Sequence, residues 1–79
     1  MTLNEEFVDL LIKNKLKNKM VSIYLKSIGI DCSPSRVNAW TYASTNRRFQ
    51  KIPKEVFGAV EFAIREGRLK VSDFPEDFK

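Results

Sequence analysis

Residues 19–42 read KMVSIYLKSIGIDCSPSRVNAWTY, and this stretch decides the fold. Gly29 can take the left-handed conformation that closes a helix at low steric cost. Ser33-Pro34 is a helix start: serine accepts from free amides as an N-cap, and proline at the first helical position presets φ and loses no needed donor. The stretch therefore predicts two helices joined by a turn, over about 19–28 and 34–42, which is the outline of a helix-turn-helix. Met20, Ile23, Tyr24 and Ile28 are expected inward on the first helix. Val37, Trp40 and Thr41 are expected inward on the second. Turning the second helix by that face leaves Ser35, Arg36, Asn38, Ala39 and Tyr42 outward. Small or hydrogen-bonding residues of this kind suit a major groove, where Asn and Arg pair with base edges. An ordinary solvent face is the plain alternative.

On the N-terminal side, Thr2 and Glu5 fit a capping box. Leu3, Phe7, Leu10, Leu11 and Asn14 then share one helical face, widened by Val8 and Ile12, so a first helix to about Asn14 serves the core. KNKLKNK, residues 13–19, links it onward, with Leu16 as the inward anchor and Asn18 as the N-cap of the next helix. A helix N-terminus among lysines favours an anion through its free amides and its dipole.

On the C-terminal side, residues 43–52 form a loop that holds Arg47, Arg48 and Lys51 and is pinned by Phe49 and Ile52. A loop after a recognition helix lies near the sugar-phosphate backbone, where bases position rather than read. Pro53 opens a fourth helix with Val56, Phe57, Val60, Ala63 and Ile64 on one face, and Gly67 ends it. In residues 68–79, Leu69 and Val71 alternate with basic residues as in a short strand, and Phe74 and Phe78 add aromatic surface. This tail either folds back over the core or packs on a second subunit. The second is favoured, because paired half-sites are commonly read by dimers.

Charge placement supports a polyanion partner. Of the 79 residues, positions 13–54 hold ten Lys/Arg against Asp31 alone, a local balance of +9, between ends carrying −3 and −2. Such a basic middle is an electrostatic footprint for nucleic acid, although lysines also solubilise small helical proteins. One cysteine and no histidine leave no intramolecular disulfide, no usual zinc ligand set and few groups for acid-base or nucleophilic chemistry. No enzyme, cofactor or small-molecule substrate is expected. Cys32 reads as a small turn residue rather than a redox group. The chain lacks a membrane-length apolar run and a signal-peptide pattern, so a cytoplasmic protein without membrane contact is expected.

Residues 18–64 resemble the lambda-repressor-like helix-turn-helix family of phage repressors and Cro-type regulators. The resemblance rests on Gly29 and Ile30 in the turn, Val37 and Trp40 in the recognition helix, and a fourth helix at Pro53. Asp31 and Cys32 lengthen the turn beyond the family's usual interval. The resemblance implies an all-α, compact four-helix domain over residues 1–67 with a short C-terminal tail, 68–79. It also implies sequence-specific binding of double-stranded DNA by a small phage or bacterial transcriptional regulator. Ser35, Arg36, Asn38, Ala39 and Tyr42 would read bases; Lys19, Ser22, Arg47, Arg48 and Lys51 would hold phosphates; and the tail would support a homodimer. A second likeness, in Trp40, Phe49, Gln50, Pro53 and Val56, is to bacterial proteins of unestablished role built from tandem helical units. The apolar, acidic tail and the modest polar face of the recognition helix support an alternative, a protein-interaction module on the same fold, such as an anti-repressor, an antitoxin-like partner or a host-factor inhibitor.

Overall fold

The computed structural model describes residues 2–75. Four α-helices, α1 (Leu3–Lys13), α2 (Asn18–Ser27), α3 (Pro34–Thr41) and α4 (Lys54–Arg65), are followed by a single 3-10 turn, Val71–Asp73. No strand occurs among the described residues. The Cα radius of gyration is 11.8 Å, close to the value of about 11.6 Å for a compact domain of this length.

Helix α1 begins as its sequence dictates. The Thr2 hydroxyl accepts from the Glu5 amide at 3.2 Å, and the Glu5 carboxylate accepts from the Thr2 amide at 3.0 Å. Its Phe7 and Leu11 are buried, and Phe7 meets Trp40 of α3 edge to face at a centroid distance of 5.9 Å. Val21, Leu25, Val37, Val56, Val60 and Ala63 complete a core to which every helix contributes. α3 lies against both α1 and α2, so the candidate reading helix is held from two sides.

Helices α1, α2 and α4 end alike. In each, the residue after the C-cap has positive φ: Lys15 (56°), Gly29 (90°) and Gly67 (72°). Its amide, and that of the next residue, turn back onto the last carbonyls: Lys15 to Ile12 and Leu16 to Leu11, Gly29 to Lys26 and Ile30 to Leu25, Gly67 to Ile64 and Arg68 to Ala63. This is the Schellman arrangement, which satisfies carbonyls left free by the ending helix. Leu16 thereby returns to the core, as expected, and Ile30 packs against it.

Four expectations need correction. On α2 the inward face is Met20, Val21, Ser22 and Leu25, while Ile23 and Ile28 are 43% and 46% exposed. Six apolar residues crowd positions 20–28, so several faces fit the helical period. The buried face is the one that encloses Met20, Val21 and Leu25 completely, and Ser22 is tolerated on it because its hydroxyl donates to the Cys32 carbonyl at 2.6 Å. Second, the N-cap of α2 is Lys17 rather than Asn18, which is already helical. Third, Pro53 caps α4 from outside rather than forming its first residue. Fourth, the described part of the tail, to residue 75, is not a strand: Leu69 is buried, and Val71 and Phe74 pack on the chain's own core. Phe78 lies outside the described residues.

Candidate nucleic-acid interface

The surface in question is built on α3. Ser33 caps it, with its hydroxyl accepting from the Arg36 amide at 3.3 Å, and Pro34 follows at the first helical position. Val37 and Trp40 are essentially inaccessible, which fixes the helix's rotation. Ser35 and Arg36 are exposed. Asn38 is half-buried, and its Oδ1 accepts from Asn18 Nδ2 at 2.5 Å. That bond joins the first turn of α2, with Lys17 and Lys19 beside it, to the outer face of α3.

Two expected readers move. Ala39 is buried, and its carbonyl accepts from the Gln50 amide at 3.2 Å, so it presents nothing to a groove. α3 stops at Thr41, and Tyr42 turns extended (ψ 157°), which carries its half-buried ring into a groove beside α1. The outward set on α3 narrows to Ser35, Arg36 and Asn38. Arg36 shares a small depression with Gln50 and Lys51, so the start of α3 and the end of the following loop meet there.

Of the expected phosphate ligands, Lys19, Arg47, Arg48 and Lys51 are exposed. Ser22 is not available: it is 2% exposed and bonded to Cys32 inside the fold. Arg47 and Arg48 sit on a tight turn organised by Asn46, whose Oδ1 accepts from the Arg48 amide at 2.8 Å and whose carbonyl accepts from Phe49 at 3.0 Å. Ion pairs among the described residues join Asp9 to Lys13 and Glu61 to Arg65. They leave the five cations Lys19, Arg36, Arg47, Arg48 and Lys51 uncommitted to a carboxylate.

The residue that holds this surface together carried no local signal. Asn4 of α1, buried, donates through Nδ2 to the Trp40 carbonyl at 3.0 Å and the Gln50 carbonyl at 2.8 Å, and accepts from the Ile52 amide at 3.1 Å. It thus closes the neck of the basic loop and satisfies the end of α3 at once. Its partners are 36 to 48 residues away, beyond the reach of any periodicity argument. Asn18 also escaped its true role, because an asparagine before a helix reads first as a cap.

Among the described residues the molecule is all-helical, with four α-helices, and the third is flanked by the exposed basic residues Lys19, Arg47, Arg48 and Lys51. No protein-family model, curated protein or solved structure matched the chain. No described helix is long and apolar enough to cross a membrane.

Proposed function

We propose that the chain is a small sequence-specific DNA-binding protein, a phage or bacterial transcriptional regulator of lambda-repressor-like helix-turn-helix type, with α3 in the major groove. The observation that carries this reading is the Asn18–Asn38 hydrogen bond. A helix N-terminus with lysines beside it suits a phosphate. Asn18, in that first turn, holds the side chain of the α3 residue best suited to a base edge. The bond uses one Oδ1 lone pair of Asn38 and leaves the other, with the Nδ2 hydrogens, for the N6 donor and the N7 acceptor of an adenine. Ser35 and Arg36 complete the reading face. Lys19, Arg47, Arg48 and Lys51 hold the backbone on either side.

Selection from a random duplex library at moderate salt tests the proposal. An enriched motif is expected, and Arg36→Ala and Asn38→Ala should each cut discrimination at one position by about 1–3 kcal/mol. Full discrimination retained in the double variant would remove α3 as the reader. One stoichiometric protein partner with no DNA shift at low salt would instead support the interaction-module reading.

A further inference from the structure

Ala39, expected from the sequence to read a base, is buried, and the loop that returns after α3 lies against it. The Gln50 amide donates to the Ala39 carbonyl at 3.2 Å. Ala39 follows Arg36 by three residues and so lies on the same strip of α3. Gln50 comes up beside that strip and shares the depression that Arg36 and Lys51 line.

The backbone of Gln50 is held on both sides. Its amide is engaged by Ala39, and its carbonyl accepts from Asn4 Nδ2 at 2.8 Å. Two residues on, the buried Ile52 amide donates to Asn4 Oδ1 at 3.1 Å. Gln50 is nevertheless exposed. With both backbone groups bonded inside the fold, the exposed part is the side chain, whose carboxamide makes no hydrogen bond among the described residues.

Its neighbours in the loop differ in kind. Arg47, Arg48 and Lys51 are cations, which attract the phosphates of any sequence. A carboxamide adds no charge to that attraction. It offers donor and acceptor together, the combination that the N7 and N6 atoms of an adenine take up in the major groove. A group that discriminates must also be placed accurately. Gln50 has its anchors in α3 and α1, whereas Arg47 and Arg48 ride on the local turn at Asn46. We propose that Gln50 is a further base-reading residue, supplied by the loop in place of Ala39, and that it reads an adenine at a base pair distinct from those read by Asn38 and Arg36. The proposal rests on the DNA-binding reading of α3.

Selection from a random duplex library, run in parallel for the wild type, Gln50→Ala and Gln50→Arg, tests it. Urea denaturation should give all three the same midpoint, because an exposed side chain is changed and the backbone bonds persist. Gln50→Ala should lose preference for one adenine by about tenfold or more and keep the rest of the motif, including the positions lost in Arg36→Ala and Asn38→Ala. Gln50→Arg should change the preferred base at that position to guanine, the partner of an arginine fork. The salt dependence of Gln50→Ala should match that of the wild type, since no cation is removed. Equal weakening on all sequences would make Gln50 a phosphate contact and overturn the proposal. So would a motif unchanged in Gln50→Ala, or an adenine still preferred at that position by Gln50→Arg. A wild-type motif that depends on Asn38 but not on Gln50 would overturn this inference alone, whereas no motif for the wild type would remove the DNA-binding reading and this inference with it.

Discussion

The two connections that flank α3 are held by different means. The one before it, residues 28–33, is tied within a short span: Gly29 and Ile30 close α2 onto Lys26 and Leu25, and Ser22 bonds Cys32 across the turn. The one after it, residues 42–53, has a tight turn at Asn46, but its neck is held by Asn4 from the far end of the chain. Helix ends show the same contrast. α1, α2 and α4 recover their terminal carbonyls with the next two amides, whereas α3 relies on Asn4 for Trp40, the Gln50 amide for Ala39 and the Thr41 hydroxyl for Asn38. The lesson is that the entry to α3 is a local device, and its exit, which carries the basic loop, is a tertiary one.

The comparison is most exposed to a change at Asn4. Asn4→Ala leaves the buried Trp40 carbonyl, the buried Ile52 amide and the part-buried Gln50 carbonyl without their partner, and an unsatisfied buried group costs about 1–3 kcal/mol. A loss of about 3 kcal/mol by urea denaturation is expected, a large share of the roughly 4–12 kcal/mol typical at this length. Amide exchange should accelerate first at Gln50 and Ile52 and leave Ile30 unchanged below the global unfolding limit. Equal acceleration on both sides of α3 would erase the distinction.

At the entry, smaller effects are expected because the costs are conformational. A Cβ at Gly29 meets nothing within 4 Å, so Gly29→Ala pays only for its φ of 90°, about 1 kcal/mol. Lys15 is the converse case. It holds the same left-handed position without being glycine, and Lys15→Gly should stabilise by about 0.5 kcal/mol, the relief of that conformation less the entropy glycine adds to the unfolded chain. If Lys15→Gly destabilises, the shared account of the three helix ends is wrong.

The smallest effect concerns pH. The Thr2 amide first, and then its hydroxyl, donate to the Glu5 carboxylate and hold it below its ordinary 4.5. A lowered folded-state value means the capping box stabilises above about that pH and loses its contribution as pH falls through the folded value. Glu5→Gln should therefore flatten the acid limb of the stability profile slightly while leaving the neutral limb's shape unchanged.

These contrasts explain what the sequence made legible. Thr2–Glu5, Ser33-Pro34, Gly29 and Gly67 act on neighbours within a few positions, and each marked its helix end correctly. Val37 and Trp40 share a single possible inward face, so the rotation of α3 was readable. α2 offered competing apolar faces, and the chosen one takes in Ser22, whose polar group is satisfied only by a partner ten residues on, the Cys32 carbonyl. Ala39 was misread because its burial comes from packing against the returning loop, and Tyr42 because the helix ends one residue before it. The tail offered both an alternating pattern and loose aromatics, which contact with the core resolved into a 3-10 turn.

The DNA reading also needs the exposed bases around α3 to hold phosphates, and one titration tests it most directly: affinity for the selected duplex as a function of salt, for the wild type and for Arg47→Ala/Arg48→Ala. The account predicts a linear fall of log affinity with log salt, and a slope shallower by about 1.8 in the double variant, from about 0.9 for each phosphate contact removed. A double variant with the wild-type slope, or no binding to any duplex at low salt, would contradict it.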